Sequence, residues 1–293
     1  MYRGFDKATL EREYSPSSCI DDIMVYINQY IDVSKTNLDA AKRQARVIEN
    51  IAYGAHQDET LDLFLPQLDS TEKRKLQVYI HGGYWQELTK NESAFAAANF
   101  QHQGCHFAVI NYSLAPNASL TEIVEQNRRA LVYLYEQAEA YGYDRDEIYI
   151  SGSSAGGHLA LMMLLTDWQE FEHQVKLPKN LVRGVCAVSG VFDLEPIQHT
   201  YINDPLKLTT MEMIQNSPIN YPVKNVCPVI LAYGDNETSE FKRQTHEMQV
   251  WLQSQGIPVE FSEIAERNHF DVIMDLGHTD SWLFKQTAKQ MGF

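Results

Sequence analysis

Short apolar runs recur along the chain near 47–52, 61–65, 77–80, 106–111, 147–151, 181–188, 229–233 and 259–264, separated by longer segments of mixed polarity. Runs of this length rich in Val, Ile, Leu and Phe read as strands, and the intervening segments carry helical spacing. The alternation predicts an α/β architecture, a mostly parallel eight-stranded sheet flanked by helices on both faces. Two segments stand outside it. In the N-terminal segment, 1–46, Ile20, Ile23, Met24, Ile27 and Ile31 recur at helical spacing, so about 19–45 should be largely helical, with one apolar face packed over the domain or its active-site mouth. Residues 193–224 are rich in turn formers and Met without strand character, which suits a cap or lid insertion and a plain connecting excursion equally well. No Gly/Ser-rich or Pro-rich linker divides residues 1–293, so a single domain is expected. Ser119-Leu120-Thr121-Glu122 reads as a capping box opening the helix before the fifth run.

Charge narrows the classes of partner. The chain carries 39 acidic against 24 basic residues, a formal net charge of −15, which repels nucleic acid and anionic lipid. The short basic triplet Lys73-Arg74-Lys75 reads as solvated loop. The first twenty residues are studded with charges and the longest fully apolar run, Leu159 to Leu165, is too short to span a bilayer, so a soluble, cytoplasmic protein is expected. Cys19, Cys105, Cys186 and Cys227 are widely spaced and read as reduced thiols, mostly buried. No Cys-x-x-Cys, His-Glu-x-x-His or phosphate-loop motif occurs, so neither metal nor cofactor is expected. Composition leaves a homodimer as open as a monomer.

The chemistry is concentrated in three places. Gly152-Ser153-Ser154-Ala155-Gly156 follows the strand-like Ile148-Tyr149-Ile150 and precedes a helical stretch from His158 to Leu165. This is the context of a nucleophile elbow, G-x-S-x-G, with Ser154 exposed at the corner. Upstream, His81-Gly82-Gly83-Tyr84-Trp85 follows another strand-like run. An HGG-type turn there supplies backbone N–H groups for an oxyanion hole, joined by the N–H of Ala155 after the nucleophile. A serine hydroxyl is a weak nucleophile at neutral pH, so a base and a group that orients it must follow, in the order Ser, acid, His.

The last third offers both. After Val229–Tyr233 comes Gly234-Asp235-Asn236-Glu237-Thr238. Glu237 is preferred as the acid because it lies farther past the strand end, with Asp235 the runner-up and Asp193 a third choice. Among the histidines beyond the acid, His246 falls in a helical stretch and His278 at a break between two helical segments. His269 sits in a polar loop after Val259–Ile264, where loops following parallel strands gather at one sheet edge, and is the expected base. Tyr84 and Trp85 adjoin the oxyanion turn as candidate walls for an aromatic substrate, a tryptophan in such a turn being equally often a core anchor, and His158 reads as a structural histidine.

Taken together, LEREYSPS at 10–17, HGGYW at 81–85, GSSAGGHL at 152–159 and ETSEF at 237–241 resemble the arylformamidase (kynurenine formamidase) branch of the α/β-hydrolases, relatives of the hormone-sensitive-lipase-type esterases. The resemblance spans nearly the whole chain. HGGYW and the N-terminal EYSPS are its narrower signals, the other motifs being shared across the superfamily. It implies an α/β-hydrolase fold, a small-molecule aryl amide or ester as substrate, and hydrolysis of N-formylkynurenine to kynurenine and formate. By position it implies Ser154, Glu237 and His269 as triad and Gly82 and Gly83 in the oxyanion hole. Mammalian members carry aspartate where this chain has Glu237. A short-acyl carboxylesterase is the alternative enzyme reading. A non-catalytic ligand-binding protein on the same fold would usually lack a triad member, and none is missing here.

Overall fold

The computed structural model describes residues 2–67, 74–171, 173–174 and 176–293. Its strands are β1 (Val47–Ala52), β2 (Thr60–Phe64), β3 (Arg74–Ile80), β4 (His106–Ile110), β5 (Tyr143–Ser153), β6 (Gly184–Val188), β7 (Val229–Asn236) and β8 (Val259–Asn268). They form one eight-stranded sheet in the order β1-β2-β4-β3-β5-β6-β7-β8. From β4 onward every neighbouring pair is parallel, while β2 runs antiparallel to both β1 and β4. The chain is an α/β-hydrolase fold.

The helices are α1 (Lys7–Glu13), α2 (Ile23–Arg43), α3 (Ala97–His102), α4 (Leu120–Tyr141), α5 (Ala155–Leu165), α6 (Asn203–Leu206), α7 (Thr210–Asn216), α8 (Ser239–Ser254) and α9 (Trp282–Gln290). Period-two alternation along each central strand feeds two apolar layers. Leu76, Val78 and Ile80 of β3 and Ile148 and Ile150 of β5 enter the layer holding α5, while Tyr79 and Tyr149 enter the layer holding Tyr30 of α2 and Phe284 of α9. Each fully buried aliphatic side chain contributes about 1.5–3 kcal/mol. Every residue of α5 is buried, which fixes the helix that starts at the elbow against the sheet.

Local readings differ in instructive ways. Ser119 caps α4 by accepting from the Glu122 N–H, but Glu122 does not reach back; its carboxylate is drawn to Arg129 and Gln126, so only half of the expected capping box forms. Arg74 and Lys75 open β3 instead of lying in a solvated loop: Arg74 Nη1 donates to the Gly104 carbonyl at 2.9 Å and Lys75 Nζ to the Met291 carbonyl. Lys73 lies outside the described residues. Strands β7 and β8 run three and four residues beyond their apolar cores, to Asn236 and Asn268, because the two ends pair with each other. All four cysteines are free, and burial pushes the thiols of Cys105, Cys186 and Cys227 up to about 12. Among the described residues no helix is long and apolar enough to cross a membrane.

Candidate active site

The sheet order reverses around β3, whose neighbours are β4 and β5, and the loops leaving such a switch point form the natural crevice of an open parallel sheet. Ile80 pairs with Gly152, so the turn after β3 and the elbow after β5 leave the sheet side by side. At the elbow Ser154 has φ 57° and ψ −120°, a sparsely populated conformation for a residue with a side chain. Its N–H donates to the Val188 carbonyl at 2.9 Å, which ties the strained corner to β6. Gly156 makes the corner sterically feasible: a Cβ there would stand 2.0 Å from the Ile80 carbonyl oxygen.

The Gly82 and Gly83 amides are oriented by what holds the carbonyls before them. Tyr112 OH donates to the His81 carbonyl at 2.8 Å, and His81 Nδ1 donates to the Gly82 carbonyl at 2.9 Å. Since C=O and N–H point oppositely across a trans peptide, the Gly82 and Gly83 N–H groups face the other way, and neither has a hydrogen-bond partner among the described residues. The His81 ring stacks on Tyr112 with centroids 4.0 Å apart and planes 4° apart. Burial pushes its pKa down to about 4 against the opposing bond to Gly82, so it remains a neutral ring donating from Nδ1. Gly83 has φ 94°, and a Cβ there would lie 2.2 Å from the Glu87 carbonyl oxygen, so only glycine fits. The Ala155 N–H opens α5 and, like the first amides of any helix, lacks an intrahelical acceptor.

At the far side of the site, Asn236 pairs with Asn268, which places the next residues, Glu237 and His269, on adjoining strand ends. Asn268 shapes the turn: its side-chain oxygen accepts from Phe270 N at 2.9 Å, while Asp271 returns a carboxylate to Asn268 N at 2.7 Å. His269 Nδ1 lies 2.9 Å from Glu237 Oε2. The other carboxylate oxygen, Oε1, accepts from Ser189 Oγ at 2.6 Å and from Gly234 N at 2.7 Å. Both residues are buried, and the Phe241 ring packs edge-on against the imidazole at 4.5 Å. The ring is thus fixed on one side and presents Nε2 on the other.

Asp235 is engaged elsewhere. It is exposed, accepts from Arg267 N at 3.2 Å through Oδ1, and gives its carbonyl to Lys242 Nζ at 2.6 Å. Asp193 accepts from Tyr2 OH at 3.0 Å. Distance past the strand does not separate the candidates, since β7 runs to Asn236 and Glu237 follows it directly; the hydrogen bonds do. His158 Nε2 meets the Asn216 carbonyl at 2.6 Å, a structural bond deep in the core. His246 and His278 are exposed.

Ser154, His269, Gly82, Gly83 and Tyr84 line one cavity of about 290 Å³. Its other walls are largely aromatic and aliphatic, including Tyr30, Tyr79, Phe95, Tyr201 and Phe270. Ile23, Ile27 and Tyr30 of α2 cover it, and Tyr30 OH donates to the Phe270 carbonyl, pinning the loop just past His269. From the 193–224 segment, Tyr201 and Ile202 form part of the wall, with Tyr201 OH 2.8 Å from Ser15 Oγ. Trp85 takes the core-anchor alternative and not the cavity wall. It is fully buried, absent from the cavity lining, and set edge-on to His158 at 5.0 Å, while Tyr84 stays at the cavity. Ser189, Tyr112 and Phe241 are not singled out by the sequence, although Ser189 directly follows β6, the strand between the elbow and the acid, a position that is a signal in itself.

Fold and site define the class: an α/β-hydrolase whose candidate catalytic groups meet at the C-terminal edge of a parallel sheet. Comparison with known proteins narrows this. The BD-FAE family model matches residues 61–252. The chain is 33% identical to the kynurenine formamidase of Danio rerio, over 99% of this chain and 98% of that one, and 32% identical to that of Salmo salar with the same coverage. A solved structure from Silicibacter sp., provisionally assigned as a thioesterase, superposes with a TM-score of 0.79 at 26% identity, over 94% of this chain and 97% of that one. The chain belongs to the arylformamidase (kynurenine formamidase) branch of the α/β-hydrolases and is a hydrolase.

Proposed function

We propose that this hydrolase cleaves the formyl group from N-formylkynurenine, giving kynurenine and formate through a Ser154–His269–Glu237 triad and a formyl-serine intermediate. Membership in the kynurenine formamidase branch supports the substrate. The observation that carries the mechanism is the convergence on one cavity of Ser154, the Glu237-bound His269 and two outward-facing glycine amides. His269 Nε2 takes the proton as Ser154 Oγ attacks the formyl carbon, and the tetrahedral oxyanion is held by the Gly82, Gly83 and Ala155 N–H groups. Collapse breaks the C–N bond, with His269 returning the proton to the departing aryl amine. Water, deprotonated by the same imidazole, then attacks the formyl ester, and as this second intermediate collapses the C–O bond to Ser154 breaks, His269 returns the proton to Ser154 Oγ and formate leaves. Glu237 holds Nδ1–H throughout and offsets the imidazolium charge. The aromatic walls suit an aryl leaving group.

The test compares kcat/KM on N-formylkynurenine with that on p-nitrophenyl acetate. Preference for the formamide supports the assignment. Turnover of the acetate with none of N-formylkynurenine would transfer the protein to the short-acyl carboxylesterases.

A further inference from the structure

The N-terminal EYSPS segment is distinctive in sequence yet supplies none of the reacting groups, and its hydrogen bonds show where it acts. Thr238 Oγ1 donates to the Glu13 carbonyl at 2.5 Å, and Ser239 Oγ to Glu13 Oε2 at 2.7 Å. On the other side of the acid, Asn236 Nδ2 donates to the Cys19 carbonyl at 3.0 Å. Glu237 is therefore bracketed in sequence by residues tied to the N-terminal strap. The next residue along the strap faces the opposite half of the site: the Tyr14 carbonyl accepts from Tyr84 OH at 2.6 Å, directly after the oxyanion glycines.

Tyr14 itself is rigidly held. It is 1% exposed, and its hydroxyl donates to Glu240 Oε2 at 2.8 Å while accepting from Gln244 Nε2 at 2.7 Å. Arg243 grips the same carboxylate through Nε at 2.9 Å and Nη2 at 2.7 Å. Burial opposes ionisation of Glu240, but Arg243 and Tyr14 outweigh it and hold the carboxyl below its usual range. The strap is anchored in α8 by this polar cluster, and displacing it would take the Tyr14 hydroxyl away from both Glu240 Oε2 and Gln244 Nε2.

We infer that the Glu13–Tyr14 dipeptide is a positioning element that couples the oxyanion turn to the acid loop, fixing the Gly82 and Gly83 amides relative to the Glu237–His269 pair. The inference rests on the catalytic reading above. Near-attack geometry is sensitive to displacements on the order of 1 Å, so loosening this link lowers the rate of the chemical step more than it lowers affinity.

Two conservative substitutions cut the link at its two ends. Tyr84→Phe removes the bond to the Tyr14 carbonyl and keeps the ring, and Thr238→Val removes the bond to the Glu13 carbonyl at a residue outside the cavity. Each is followed by kcat, KM and the rate of Ser154 labelling by a fluorophosphonate, well below the melting temperature. Each single variant should lose about 5- to 20-fold in kcat and in labelling rate with KM within about twofold, and the double variant should lose little more than the worse single, since either cut already frees the link. Losses that multiply, a change confined to KM, or unchanged labelling in variants of a wild type that labels at Ser154 would overturn the positioning role alone. Failure of the wild type to label at Ser154 would overturn the catalytic reading, and the strap's role with it.

Discussion

Replacing Glu237 by glutamine tests the acid through the one atom that its neighbours cannot share. Oε1 sits between two donors, Ser189 Oγ at 2.6 Å and Gly234 N at 2.7 Å, and an amide nitrogen cannot accept from either. The amide oxygen of the introduced glutamine must therefore occupy that place, which turns its NH₂ toward His269 Nδ1, 2.9 Å away in the native pair. Nδ1 then has to accept, its proton moves to Nε2, and Nε2, the base in the proposed mechanism, can no longer take the Ser154 proton. Loss of the imidazolium's counter-charge adds to this effect. A wrong-tautomer substitution in a serine triad costs about 10⁴-fold in kcat, close to 5 kcal/mol of transition-state stabilisation. Asp235→Asn alters an exposed group bonded to Arg267 N and should stay within about threefold of wild type, as surface substitutions do.

The assay is steady-state kcat and KM for wild type, Glu237→Gln and Asp235→Asn on the best formamide or ester substrate, with circular dichroism to confirm folding. A Glu237→Gln enzyme within tenfold of wild type, or equal losses in the two variants, would refute the reasoning and return the acid's role to Asp235 or to another group.

Four further outcomes follow from the same geometry. Ser154→Ala should lower turnover by at least about 10⁴-fold while preserving the fold, and a fluorophosphonate should label only the wild type; labelling of the variant at another serine would reject the nucleophile. Ser189→Ala removes one of the two donors to Glu237 Oε1, a charge-assisted bond worth about 1.5–3 kcal/mol, so kcat should fall about tenfold with KM unchanged, and an unchanged kcat would deny it a positioning role. Burial pushes His81, His106 and His158 down to about 4, so between their ordinary value of 6.5 and that point the unfolded chain takes up protons that the folded one refuses. Stability is therefore full above pH 6.5 and falls as pH drops through this window, by about 1.4 kcal/mol per unit for each histidine, and a urea midpoint constant from pH 7 to pH 5.5 would contradict the assignment. Glu87 and Glu92 line the cavity and no Lys or Arg does so among the described residues, so an aryl formamide that keeps kynurenine's ammonium but lacks its carboxylate should be cleaved with kcat/KM at least equal to that of N-formylkynurenine; a tenfold or greater loss would show that the carboxylate is recognised.

The parts legible in the sequence were those where backbone geometry dictates residue type. Ser154 at φ 57° needs small neighbours, and Gly83 at φ 94° admits nothing but glycine, so the elbow and the glycine turn after β3 write themselves into the chain as short motifs. The strands were legible for a related reason: a sheet buried on both faces demands continuous apolar runs. Selection of Glu237 over Asp235 was not settled by spacing, because both lie in a polar stretch and the strand extends through Asn236; the choice depends on Ser189, 48 positions away, and on the pairing of Asn236 with Asn268. The side taken by Trp85 is undecided in the sequence for a similar cause. Tyr84 and Trp85 both have positive φ in the tight turn at Gly83–Glu87, yet only Tyr84 lines the cavity, and the side of the turn that Trp85 takes is fixed by its packing against the distant His158. The same holds for the strap: its motif was visible, but its partners Tyr84 and Thr238 lie 70 and 225 positions away in the chain, and only the fold brings them to one dipeptide. Local conformation leaves a local signature, whereas the orientation of the Glu237–His269 pair is a long-range property of this sheet. Substitutions of side chains that share no motif with the nucleophile, Ser189 and Thr238 above all, are therefore the sharper tests of how this site is held.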